Sequence, residues 1–140
     1  MFDFKLVSIS GTKFDGQVYE VTLPTMDGQI GVLAEHMPLV SVAVPGVVII
    51  KKNPRDTDSE CDYYAINGGA IEVSDNSLRV LVDEAELPDE INAAEAQHAL
   101  DRAIKMKAES RDEISLEHAQ SMIDRSEVRL EVANLKRRHK

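Results

Sequence analysis

The chain has 140 residues and a mass of 15.5 kDa, enough for one full domain or one small domain with an appendage. With 43% apolar and 29% charged residues it can build a core, while 4% aromatics and no Trp argue against base- or sugar-stacking surfaces. Twenty-five acids against sixteen Lys plus Arg leave a formal charge of −9, which repels phosphate backbones and anionic lipid and excludes nucleic acid as a partner.

At the amino terminus, Met1-Phe2-Asp3-Phe4-Lys5 carries an acid where a secretory leader carries bases. The most apolar stretch, Val42 to Ile50, is broken by Pro45-Gly46 and is too short to cross a bilayer. A soluble or peripheral protein is expected. All seven glycines lie at or before Gly69, all Phe and Tyr at or before Tyr64, and the last proline is Pro88. Strands joined by turns should therefore fill the first part, and helix uninterrupted by Gly or Pro the second. The charge divides at the same place. Up to Glu86 there are 14 acids and 6 bases, net −8; from Leu87 there are 11 and 10, net −1.

Expected strands, in chain order, are Phe4–Ile9, Gln17–Leu23, Gln29–Val32, Leu39–Val44, Val47–Lys51, Tyr63–Asn67, Ala70–Val73 and Leu78–Val82. Their expected separators are Asp15-Gly16, Asp27-Gly28, Pro45-Gly46, Gly68-Gly69 and Asp75-Asn76. Short, evenly spaced strands of this kind suggest a sandwich or a barrel. Val40, Val42 and Val44 alternate with Leu39, Ser41 and Ala43, so that strand is apolar on both faces. Lys51–Asp62 reads as a polar hairpin tip. It holds the one cysteine, Cys61, which can form neither an internal disulfide nor a multi-thiolate metal site. The neighbouring acids, Glu60 and Asp62, should raise its pKa.

Two antiparallel helices should follow. Asp89 is the expected cap of the first, whose stripe of Ala93, Ala96, Leu100, Ala103 and Ile104 is about 100° wide. Glu95, His98, Arg102, Lys105 and Glu109 take the opposite side. Ser110-Arg111-Asp112 should connect the helices and Ser115 cap the second. That helix carries a main stripe of Leu116, Ala119, Met122, Ile123, Ser126, Leu130 and Ala133. An Ala-rich seam gains little from burial, so the hairpin should undock more readily than the strand domain melts.

Catalytic signatures are lacking: there is no P-loop, no Gly-x-Ser-x-Gly elbow and no His-Glu-x-x-His helix. His36, His98, His118 and His139 are dispersed. The acids Asp83, Glu84 and Glu86 read as a solvated linker before they read as a cation site. On the second helix Arg125, Arg129, Lys136 and His118 line up within about 40° of one another. Beside them Val128, Val132 and Leu135 form a second apolar stripe. Two readings stand together here: a face packed on the chain's own acidic strand domain, or a docking face for an acidic partner.

Leu23 to Leu39 contains Gly28-Gln29-Ile30-Gly31 and then His36-Met37-Pro38-Leu39. Together with Pro45-Gly46, Asn67-Gly68-Gly69, Ile71-Glu72-Val73 and Val80-Leu81-Val82, this run resembles the ε subunit of bacterial rotary ATP synthases. The Ala-rich hairpin extends the resemblance over essentially the whole chain. It implies a non-catalytic subunit, mainly β plus α, with an antiparallel β-sandwich over residues 1–87 and a regulatory two-helix hairpin over 88–140. The implied partners are the γ subunit, the c-ring and the α/β catalytic subunits, in a complex peripheral to the cytoplasmic face of the plasma membrane. Asp27, Gly28 and Gln29 would face the c-ring, although the family often has an acid at the position of Gln29. His36 and Pro38 would lie on the γ side. Arg125, Arg129 and Lys136 would meet acidic segments of the catalytic subunits and inhibit hydrolysis.

Some family members bind ATP through Ile/Leu-Asp-x-x-Arg-Ala. Here the aligned run is Ile91-Asn92-Ala93-Ala94-Glu95-Ala96, with a carboxylate where phosphate charge would be met, and Leu100-Asp101-Arg102-Ala103 lacks the two-residue spacer. No cofactor and no useful ATP binding are expected. The competing reading is a free-standing protein-binding module whose hairpin recognises another acidic protein.

Overall fold

A computed structural model of the chain describes residues 1–138, with side chains as far as Leu135. The strands are β1 (Phe2–Ser8), β2 (Gly11–Val18), β3 (Glu20–Thr25), β4 (Gly28–Val32), β5 (Leu39–Lys51), β6 (Asp62–Ser74), β7 (Ser77–Val82) and β8 (Ala85–Glu86). A short 3-10 turn, Pro88–Glu90, leads to α1 (Ala93–Glu109) and α2 (Glu113–Arg138). The strands form one eight-stranded sheet in the order β2-β1-β7-β6-β5-β3-β4, with β8 added to β6. All neighbours are antiparallel except β1 and β7, which run parallel because the first strand inserts between β2 and β7.

The sheet becomes a sandwich at its two longest strands. The second half of β5 pairs with β3 through Val21↔Ile50 and Thr22↔Ile49, and the first half of β6 pairs with β8. Beyond Gly69, β6 pairs with β7 instead, from Gly69↔Val82 to Ser74↔Ser77. Pro45-Gly46 and Gly68-Gly69 are therefore not turns, as the sequence suggested, but the points where two continuous strands pass from one layer to the other. The β5–β6 ladder runs through them, omitting only Val44 and Gly68. Proline has no N–H to give the ladder, and glycine lets the backbone bend, so both residue types fit a strand at its corner. At Gly69 a Cβ would sit 2.2 Å from the Leu81 carbonyl oxygen, and no other residue fits.

A further difference is β2. Asp15-Gly16 lies inside this strand, opposite Lys5 and Phe4, and the chain reverses at Ile9-Ser10. As an edge strand β2 keeps charged and small residues that mask its period. It is fastened by Phe14, whose ring centroid is 5.5 Å from that of Phe4.

The sandwich core contains Phe2, Phe4, Leu6, Leu23, Ile50, Ile71 and Leu78, each at most 1% exposed. Burying each such side chain stabilises the fold by about 1.5–3 kcal/mol. A second, smaller cluster joins the sandwich to the helices: Val47 and Ala65 from β5 and β6, Ile91, and Ala96, Val128, Val132 and Ala133. Of the two readings of the second apolar stripe, packing on the chain's own strand domain is the one observed.

Helix boundaries shift by a few residues from those expected. Asp89 lies in the 3-10 turn, and Asn92 caps α1 instead, its side chain accepting from the Glu95 N–H at 3.0 Å. Asp112, not Ser115, caps α2, accepting from the Ser115 N–H at 2.7 Å. Ala96 and Ala103 of α1 are buried, as are Ala119, Ile123 and Ser126 of α2. Ile104 and Leu116, expected in the stripes, are 51% and 42% exposed. Both sit at a stripe edge, and a Lys107 Nζ–Gln120 Oε1 bond of 2.7 Å crosses between the helices near the hairpin's end.

Candidate functional site

Three surfaces carry the residues singled out by sequence. The first is the turn between β3 and β4. Thr25 and Gly28 are the closing pair, Met26 and Asp27 are the exposed tip, and Gly28 takes φ 103°, a conformation that glycine adopts without strain. The Thr25 hydroxyl locks the turn by donating to the Gly28 carbonyl at 2.6 Å and accepting from the Asp27 N–H at 3.2 Å. Asp27, Gly28 and Gln29 are all exposed, so the turn is a firm polar knuckle.

The second surface begins at the other end of β4, in the loop over residues 33–38. His36 is half-buried, with Nδ1 2.7 Å from the Met37 carbonyl and its N–H bonded to the Leu33 carbonyl at 3.3 Å. Pro38 is exposed and leads into β5. There the register aligns an apolar row across four strands: Val42 opposite Ala70, Ala70 opposite Leu81, and Leu81 opposite Val7. These side chains point away from the core, with Val42 62% and Leu81 44% exposed. Val40, 83% exposed, continues the patch towards Pro38, and Met37 in the loop is 77% exposed. Sequence reasoning saw a strand apolar on both faces but not this row, whose members come together only through strand register.

The third surface is where α2 meets the acids that follow β7. Arg129 makes a two-pronged contact with Glu86, Nε to Oε1 at 2.9 Å and the second nitrogen to Oε2 at 3.2 Å, with side chains only 14% and 22% exposed. Arg125 pairs with Glu84 in a more open position. Two of the three acids read as a solvated linker, Glu84 and Glu86, are thus partners of the helix. Glu84, Glu86, Arg125, Lys13 and Glu90 line a cleft of about 620 Å³ between sandwich and helices. Lys13 Nζ approaches Glu90 at 3.9 Å. The Lys136 side chain lies outside the described residues, as does His139.

Among the described residues no group of three or more His, Cys, Asp or Glu is placed to hold a metal ion, and no helix is long and apolar enough to cross a membrane. Burial, then the charge of Asp58, pushes the Cys61 thiol up, with Asp56 and Asp62 adding to the shift against Lys51. Glu60, expected to act on the thiol, caps the local turn through Thr57 instead. The thiol donates to the Thr57 carbonyl at 3.5 Å, and on balance its surroundings disfavour a thiolate. In the stretch aligned with the ATP motif, Ile91 is buried against the sandwich and Asn92 is used as a helix cap.

Comparison with known proteins converges on one family. The family profile described as "ATP synthase, Delta/Epsilon chain, beta-sandwich domain" matches residues 1–88. A relative named ATP synthase epsilon chain from Lactiplantibacillus plantarum is 36% identical over 104 residues, covering 71% of this chain and 72% of the relative. One of the same name from Brucella canis is 35% identical over 105 residues, 75% of each chain. Among solved structures, a chain of the Euglena gracilis mitochondrial ATP synthase (OSCP/F1/c-ring) matches with a TM-score of 0.79 and 26% identity, over 94% of this chain and 79% of that one. A chain of the Tetrahymena thermophila central stalk and c-ring, 17% identical with a TM-score of 0.60 over 99% and 96%, shares the fold. The profile over residues 1–88 and relatives above 30% identity place the sandwich in a known lineage, and this chain belongs to the ATP synthase delta/epsilon-chain family.

Proposed function

We propose that the chain is a non-catalytic central-stalk subunit of ATP synthase that couples the γ subunit to the c-ring and restrains ATP hydrolysis through its C-terminal helices. The observation that carries this reading is the open apolar row Val42–Ala70–Leu81–Val7, continued by Val40 towards the loop of His36 and Pro38. An exposed row of this kind on an otherwise acidic chain is the mark of a permanent protein contact. It gives γ an apolar seat on the outer face of the sheet. The Asp27-Gly28-Gln29 knuckle, at the far end of β4, faces the polar loops of the c-ring. Torque then passes through the sandwich that joins the two contacts.

Regulation follows from the arginines. While the hairpin is docked, Arg125 and Arg129 are held by Glu84 and Glu86. The same guanidinium groups cannot meet carboxylates of the catalytic subunits at the same time, so the docked state permits hydrolysis and the extended state restrains it. Lys136 joins them on the extended helix. No cofactor is used: Glu95 occupies the position where an ATP phosphate would need a cation. Calorimetric titration with ATP at physiological concentration should show no saturable heat. The subunit reaches the membrane only through the complex, on its cytoplasmic face.

The reading is tested by co-purification with γ. The wild-type chain should be retained, and Val42→Asp combined with Leu81→Asp should weaken retention by about tenfold or more, since both charges would be desolvated in the contact. Undiminished retention of the double variant would overturn the assignment of this face. Truncation after Leu87 separates the two roles. Hydrolysis by the assembled ATPase should rise while γ binding stays, and unchanged hydrolysis would remove the restraint alone.

A further inference from the structure

The turn between β6 and β7 uses Asp75 and Asn76, with φ of 49° and 57°, the pair of left-handed residues that a two-residue hairpin needs to match strand twist. For that purpose Gly at residue 76 would serve equally. The Asn76 side chain, however, reaches two other segments of the chain. Its Oδ1 accepts from the Glu35 N–H at 2.7 Å, and its Nδ2 donates to the Met1 carbonyl at 3.1 Å. Its backbone carbonyl also accepts from the Asp3 N–H at 3.3 Å. One residue thus links the start of β1, the β6–β7 turn and the loop over residues 33–38.

The loop needs such a link. Glu35 is held at φ 61°, in the left-handed region that a glutamate rarely occupies, and such a conformation persists only where its surroundings impose it. The bond from Asn76 falls on this residue's own N–H. Directly after it come His36, Met37 and Pro38, which open onto the apolar row. A loop ordered before encounter loses less conformational freedom on binding than one ordered by its partner.

We infer that Asn76 is a positioning residue for the γ-facing surface, fixing the loop of His36 and Pro38 in its binding conformation through the Glu35 N–H. The inference rests on the proposed function for its partner, but not for the loop geometry itself, and the two parts are read separately. Asn76→Gly keeps the turn and removes both side-chain bonds. Asn76→Asp keeps the acceptor for Glu35 and the tolerance of positive φ, and replaces the donor to Met1 with a carboxylate oxygen that must turn away from that carbonyl.

In the full-length chain, Asn76→Gly should speed hydrogen exchange of the Glu35 amide by about tenfold, the scale of one lost hydrogen bond. Affinity for purified γ should fall by roughly fivefold or more, while exchange within β5, β6 and β7 stays as in the wild type. Asn76→Asp should bring both quantities back to within about threefold of the wild type. Wild-type exchange at Glu35 in Asn76→Gly would overturn the inference. So would failure of the Asp variant to rescue, or a loop that loosens without any loss of γ affinity. If the wild-type chain itself does not bind γ, the functional reading falls, and exchange at Glu35 alone decides whether Asn76 positions the loop.

Discussion

The sandwich and the helical hairpin are built from different materials. The sandwich closes over a cluster that includes Phe2, Phe4, Leu6, Leu23, Ile71 and Leu78, in which large side chains from opposite layers interlock. The hairpin is held down by Val47, Ala65, Ile91, Ala96, Val128, Val132 and Ala133, three of them alanines, and by two arginine–glutamate pairs. At about 25 cal/mol per Å² of apolar surface, this smaller cluster, even with the half-buried Ile49, Tyr63, Leu130 and Leu135 at its edge, is worth less than the core of Phe, Leu, Ile and Val in the sandwich. The difference supports the proposed reading, in which one chain serves both as a coupling and as a movable element. On that reading the sandwich is held by large buried side chains, and the hairpin by smaller ones and by ion pairs that water and other carboxylates can compete for.

The most direct way to break the comparison is to weaken the strong side. Leu78, 0% exposed in the middle of the sandwich, should cost about 2–5 kcal/mol as Leu78→Ala, read as a loss of global stability in denaturant. Next comes the latch. Arg129→Gln leaves Glu86, 22% exposed, without its two-pronged partner, and should favour undocking by about 1–3 kcal/mol. Exchange should quicken along α2 while the sandwich stays protected. Arg125→Gln should act in the same sense but by less than about 1 kcal/mol, because both members of that pair are more than 40% exposed. Added salt should imitate it.

The smallest effect concerns pH. The Ser115 backbone N–H, and after it the Ser115 hydroxyl, hold the Asp112 carboxyl below the usual carboxylate range. A depressed folded value means that the stabilisation is complete above the unfolded carboxylate pKa of about 4 and is lost as pH falls through the folded value. Capping of α2 should therefore be constant from neutral pH down to about pH 5 and fade only in acid. Exchange at Ser115 followed against pH should show this, and Asp112→Asn should remove the acid dependence.

Much of this division was legible in the residues. The absence of Gly and Pro after Pro88 marks the helices, and Asp27-Gly28 and Asp75-Asn76 both lie at observed turns. Pro45-Gly46 and Gly68-Gly69 misled because the same residues that end a strand also let one bend, and only their pairing across the sheet distinguishes the two. Strand β2 was lost because an edge strand need not alternate. The candidate surfaces were visible piecemeal. Val40 and Val42 stood out, but Ala70, Leu81 and Val7 join them only through register. Arg125 and Arg129 stood out as well, yet their partners lie 41 and 43 residues away and no helical wheel contains them.

Amide hydrogen exchange over the whole chain tests the central claim most directly. The amides of α1 and α2 should exchange through a local opening, at least tenfold faster than those of β1, β6 and β7. Glu84→Gln with Glu86→Gln should widen the gap without touching the sandwich. Equally slow exchange in both regions, or a gap indifferent to those two carboxylates, would contradict it.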